Sequence, residues 1–143
     1  MKTASWILLT LVGALTILGG ITSLVVAFRS PQDQIGPVTM ADLATGRPDV
    51  EVALRARRAT AAAYATAFGT FFLAIALGPY RRGDVWAWWA IFVGTLVLTA
   101  LVLLRVPFLG TRLGVPTALI QLVVVGLGLG LGASRLRSTA TGG

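Results

Sequence analysis

Long uncharged runs, each about twenty residues or more, alternate along the chain with shorter polar stretches. Four runs hold no Asp, Glu, Lys, Arg or His: Ser5 to Phe28, Ala59 to Tyr80, Val85 to Leu104 and Leu113 to Ser134. A helix needs about 20 mostly apolar residues to cross the hydrocarbon of a bilayer, and each run reaches that length. Val, Ile and Phe also suit strands, but a barrel strand needs only about 10 residues and alternates apolar with polar. These runs are twice as long and apolar on every side. Lipid offers backbone N–H and C=O no partner, which favours a helix that satisfies its own bonds. The pattern predicts an all-α protein, a four-helix transmembrane bundle, with residues 1–143 as a single domain.

The polar stretches set the connections. Arg81 to Asp84 is all that joins the second and third runs, so these should be antiparallel neighbours. Arg105 to Arg112 joins the third and fourth, with Pro107 and Gly110 as turn formers. The first connection, residues 29–58, is the long one. Ser30-Pro31 and Gly36-Pro37 forbid a continuous helix there, Thr39-x-x-Asp42 fits a helix cap, and Gly46-Arg47-Pro48 breaks the chain again. Nothing stops a helix between Pro48 and Gly78, so the second helix should be extended, with about three turns beyond the bilayer. Gly78-Pro79 should end it, because proline cannot continue the hydrogen-bond ladder. Pro116 falls in the first turn of the fourth helix, where its missing N–H costs little. Lys2 and Val25-Val26-Ala27 also fit a cleavable signal peptide, but the apolar core exceeds the usual limit of about 15 residues, so a span is expected.

Composition strengthens the lipid reading. Hydrophobic residues make up 56% and charged residues 12%, with a mean hydropathy of +0.85. Soluble domains carry about 25% charged residues. The net charge is +7, with Lys2 the only lysine. The arginines sit between apolar segments rather than on one face, which points to anionic headgroups and not to nucleic acid. The Ala, Arg, Gly and Val richness suggests a GC-rich bacterial genome, hence a cytoplasmic (inner) membrane.

Cysteine, histidine and asparagine are absent. Disulfides, Cys/His metal sites, haem ligation by those residues and imidazole proton shuttling are thereby removed, and neither metal nor cofactor is expected. Ion-coupled transport usually needs a charge within the membrane, and the four runs supply none. Small multidrug exporters depend on such a carboxylate. Four-helix glutathione-dependent enzymes use an Arg/Asn/Glu set on the second helix; Glu51 and Arg55 are present, the asparagine is not. The run GLGLGLG lies inside a span and lacks the lysine of a phosphate loop.

Helix association in lipid depends on close contact between small residues. The second run offers Ala62, Thr66, Thr70, Ala74 and Gly78 at spacing four, beside a row of Ala61, Ala65 and Gly69; the third offers Ala90 and Gly94. In the fourth, Gly126/Gly130 and Gly128/Gly132 form two GxxxG pairs on roughly opposite faces. Packing within one chain accounts for them; a second protomer on one face is the alternative. Trp86, Trp88 and Trp89 with Arg81 and Arg82 read as interfacial anchors, next to Tyr80 at headgroup level. Gln121 is the amide within a span; it either bonds a neighbouring helix or, with Tyr64, Trp88 and Trp89, binds a ligand such as a lipid or quinone.

The stretch Ala74 to Ala90, AIALGPYRRGDVWAWWA, resembles a turn found in small uncharacterised bacterial membrane proteins that are broadly DoxX-like. The match covers the second and third helices, the rest only by layout. The resemblance implies a four-helix bundle in the cytoplasmic membrane. It implies no reaction, and no catalytic residue is carried over.

Three readings of function follow. The first is a non-catalytic membrane protein, acting as an accessory subunit or self-associating bundle with a membrane-protein partner or a second copy. The second is a carrier or binder of an apolar ligand such as a lipid or quinone. The third is a membrane enzyme using Asp49, Glu51 and Arg55 of the first connection, against which stands a plain i,i+4 pair of Glu51 with Arg55. Termini in the cytoplasm leave five cationic residues inside and seven outside, against the positive-inside rule. The compact anchors Lys2, Arg81-Arg82 and Arg135/Arg137 still favour that orientation.

Overall fold

The computed structural model describes residues 2–29, 34–35, 38–110, 112 and 114–133. Ser30-Pro31, Gly36-Pro37, Arg135 and Arg137 lie outside the described residues. The chain is all-α, with four helices long and apolar enough to cross a membrane: Thr3–Arg29, Pro48–Tyr80, Val85–Phe108 and Val115–Gly132. Of the apolar window in each, only 22% to 28% is buried by the rest of the chain. Leu11, Leu15, Leu18, Phe71, Leu101, Ile120 and Leu127 point outward. Water would penalise so much exposed apolar surface and hydrocarbon does not, so the chain is a multi-pass membrane protein.

The first run forms α1 (Lys2–Arg29). Two short strands follow, β1 (Gln34–Ile35) and β2 (Val38–Thr39), paired antiparallel with Gln34 opposite Thr39. Then comes α2 (Met40–Ala44), held by the expected cap. Asp42 N–H donates to Thr39 Oγ1 at 3.1 Å, while the Asp42 carboxylate accepts from the Thr39 hydroxyl at 2.6 Å and from Thr39 N–H at 3.3 Å. Those bonds favour the ionised form and lower the Asp42 pKa, the hydroxyl contributing most.

The extended second helix, α3 (Pro48–Ile75), starts at Pro48, with Asp49 and Glu51 in the first turn where the helix dipole favours acids. Glu51 pairs with Arg55 at 2.5 Å. Gly78-Pro79 does not end it. The helix widens into a π-helical turn, Ala76–Tyr80, and continues through Arg81 and Arg82. The wider turn accommodates a residue that has no N–H to bond the carbonyl four back. The stop is Gly83, whose φ of 100° suits only glycine and whose N–H closes on the Pro79 carbonyl at 3.1 Å.

After α4 (Val85–Leu103) the chain forms a short helix, α5 (Arg105–Leu109), with Pro107 inside its first turn rather than in a loop. Gly110, at φ 65°, terminates it. The last helix is α6 (Val115–Gly132), with Pro116 in its first turn as expected.

Two compact units emerge, one of Met1–Gly13 with Phe71–Gly143, the other Ala14–Thr70. In the second, α1 meets α3 at Gly20. A Cβ there would fall 3.0 Å from Thr66 N and 3.1 Å from the Ala62 carbonyl and collide with the Thr66 hydroxyl. Arg58 Nε donates to Ser23 Oγ at 3.3 Å in the same unit. In the first unit α4 packs on α6. Trp88, in the first turn of α4, donates its indole N–H to the Leu129 carbonyl in the last turn of α6 at 3.1 Å, so the two run antiparallel. Leu9 of α1 packs against Gly128, and Gly13 backs onto Leu73.

Candidate functional site

Polar groups inside the unit of Met1–Gly13 and Phe71–Gly143 gather in two places. The first is where the start of α1, the π-helical turn and the end of α6 meet. The wide turn carries the Tyr80 side chain inward, where it is 1% exposed, instead of placing it among headgroups beside Arg81 and Arg82. Tyr80 OH lies 2.6 Å from Ser5 Oγ, and Ser5 Oγ lies 2.7 Å from the Gly128 carbonyl oxygen. Ser5 has one proton, and the carbonyl can only accept, so Ser5 donates to Gly128 and accepts from Tyr80. The serine proton is thus committed to a carbonyl, and this chain of hydroxyls clamps α1, the π-helical turn and α6 together.

Gly132 makes the clamp possible. A Cβ at Gly132 would collide with Tyr80 OH and stand 2.9 Å from Ser5 Oγ. Nearby, the Arg81 guanidinium lies over the Trp6 ring, 4.8 Å from its centroid, a cation–π contact. Neither Trp6 nor Ser5 carried any signal in the sequence beyond lying in the first run.

The second place is mid-span on α4 and α6. Several helical threonine hydroxyls bond a carbonyl four residues back: on α3 Thr66 to Ala62 and Thr70 to Thr66, and on α4 Thr99 to Thr95, each at 2.9 Å. That arrangement satisfies a hydroxyl without leaving the helix. Thr95, 1% exposed, does not adopt it, and its Oγ1 has no partner. Nor has the buried Nε2 of Gln121. Thr10 Oγ1 and Arg55 Nε are the other buried unpaired side-chain atoms among the described residues.

The remaining sequence candidates are scattered. Tyr64 is 74% exposed. Trp88 is half-buried with its indole committed to Leu129, while Trp86 and Trp89 are exposed. Trp88 stacks on Phe92 at 5.4 Å and meets Trp89 edge-on at 4.9 Å, so the aromatic cluster is built within one helix. Of the spacing-four stripe, Ala62 is buried and Thr66 half-buried, but Thr70 and Ala74 are exposed and Gly78 has open space where a Cβ would stand. The reason is helical pitch: at 3.6 residues per turn a row of spacing four winds off any straight contact line. The buried line follows Ala62, Gly69, Phe72, Ala76 and Tyr80 instead. Gly94 is half-buried.

The two glycine pairs of α6 part company. Gly128 and Gly132 are buried against Leu9, Ser5 and Tyr80. Gly126 and Gly130 are exposed, and among the described residues no other element comes within 4 Å of a Cβ at either. No family model, curated protein or solved structure matches this chain.

Proposed function

We propose that this multi-pass membrane protein acts by helix association, as an accessory subunit or a self-associating bundle, without catalysing a reaction. The open Gly126/Gly130 face of α6 carries this reading. A GxxxG pair lets two helix backbones approach closely in lipid, where packing and not hydrophobicity drives association. Exposed Leu119, Val123 and Leu127 flank the pair. The composition supports a bacterial cytoplasmic membrane, the compact anchors Lys2, Arg81-Arg82 and Arg135/Arg137 support both termini inside, and the turn Ala74 to Ala90 supports a DoxX-like layout.

The test is association of the purified protein in bilayers, read by energy transfer between labelled copies and by co-purification from native membranes. Wild type should associate with itself or retain one membrane partner. Gly130→Leu, at a position where a Cβ comes within 4 Å of no other described element, should weaken that association about tenfold or more, ~1.4 kcal/mol. A strictly monomeric wild type that retains no partner ends the proposal.

A second reading, a carrier of an apolar ligand, draws on the unpaired Gln121 amide. The third, catalysis by the first connection, loses its most reactive pair to mutual neutralisation of Glu51 and Arg55.

A further inference from the structure

We propose that Thr95 and Gln121 are the two protein ends of an internal polar site that holds one neutral oxygen, from a water or from the carbonyl of a membrane-soluble molecule. The Trp88–Leu129 bond fixes the register of α4 against α6. Thr95 lies seven residues along α4 from Trp88, a distance of ~10.5 Å, and Gln121 lies eight residues back along α6 from Leu129, ~12 Å. Because the helices run antiparallel, both displacements go the same way, and the two residues stand at levels about one residue's rise apart along the helix axes.

Both residues lie on inward sides of their helices. Seven residues are almost two helical turns, so Thr95 shares the side of α4 from which Trp88 reaches α6. Gln121 lies three residues after Ala118 and four before Val125, both buried. Thr10 stands apart: its neighbour Leu9 packs at Gly128, seven residues from the Gln121 level.

The chemistry of the orphaned atoms selects the occupant. Gln121 Nε2 offers two N–H donors, and the Thr95 hydroxyl both donates and accepts. The Ile91 carbonyl, four residues back, is the ordinary partner for that hydroxyl, yet the bond is not made. Hydrocarbon supplies no substitute. An oxygen that accepts from Gln121 and exchanges a bond with Thr95 satisfies both. No Asp, Glu, Lys, Arg or His lies in either span, so an ion would be stripped of water without a countercharge, and a neutral oxygen is the chemistry that fits. A buried water needs two or more polar partners, a condition this pair meets.

The site deepens the carrier reading only if its oxygen is organic; it is independent of association through α6. The experiment uses the full chain in detergent, labelled with ¹⁵N in the side-chain amides of its three glutamines, Gln32, Gln34 and Gln121. The Gln121 pair is identified by its loss in Gln121→Met. Its amide protons should show magnetisation transfer to water, or to protons of a co-extracted molecule that mass spectrometry of the organic extract finds at about one per chain. Thr95→Val should abolish that transfer and Thr95→Ser, which keeps the hydroxyl, should retain it. Water as the source leaves the site standing and removes this support from the carrier reading. Transfer only to protein protons in the wild type overturns the site, without needing any variant to fold, and so does transfer that survives Thr95→Val.

Discussion

On α6, two glycine pairs of identical spacing, offset by two residues, meet opposite surroundings. Gly128 and Gly132 let Leu9, Ser5 and Tyr80 come against the helix backbone. Among the described residues nothing packs against Gly126 or Gly130. Two residues turn a helix through more than half a revolution, so the pairs look in different directions, and the short sequence GLGLGLG encodes one filled groove and one empty groove. Small residues thus do two jobs on the same helix. One pair is consumed by the fold of the chain; the other remains available to something outside it.

The sharpest way to break this comparison is to fill both grooves with the same side chain. Gly132→Leu must displace the Tyr80 hydroxyl and Ser5, and should destabilise by about 3 kcal/mol. Gly130→Leu should stay within about 0.5 kcal/mol at protein dilutions where copies are separate. Unfolding in SDS–detergent mixtures, followed by helical circular dichroism, measures both. Equal costs would show that the two faces are not distinct.

The hydroxyl clamp behind the filled groove supplies the next effect. Ser5→Ala removes the bond to Gly128 and the bond from Tyr80 together, and should cost about 2 kcal/mol in the same assay. Tyr80→Phe removes one of them and should cost about 1 kcal/mol. If Ser5→Ala cost no more than Tyr80→Phe, the bond from Ser5 to Gly128, and with it the inferred donor order, would be wrong. Trp88→Phe, which gives up the bond to Leu129, should also cost about 1 kcal/mol, whereas Trp86→Phe, on an exposed side chain, should be close to neutral.

The four spans were legible because each is a long uncharged run, and the Thr39/Asp42 cap because its chemistry is local. The sequence misleads where it states a residue's nature but not its direction. Gly78-Pro79 reads as a stop, yet a helix can widen by one residue per turn, and that widening is what aims Tyr80 inward. The stripe from Ala62 to Gly78 has spacing four, and the 3.6-residue period takes Thr70 and Ala74 off the contact line. Gly19 and Gly20 are neighbours with equal prior claims; Gly20 meets Thr66 and Ala62, and Gly19 meets open space. Ser5 was invisible because its role depends on residues 75 and 123 positions away. In lipid every face of these helices is apolar, so the hydrophobic pattern that normally orients a soluble helix carries no such information.

The smallest effect probes the empty groove most directly. Gly126 is helical, exposed and clear of other atoms, so Gly126→Ala introduces no clash and restricts only the unfolded chain. Such a change stabilises by about 0.4–1 kcal/mol where the native conformation already suits alanine. At high dilution in detergent, Gly126→Ala should therefore raise stability by that amount. At high protein-to-lipid density the sign should reverse, because the added methyl lies where a second helix backbone would approach. A gain that persists unchanged with density would mean that nothing docks on this face, and the contrast between the two glycine pairs would then describe surface left to lipid alone.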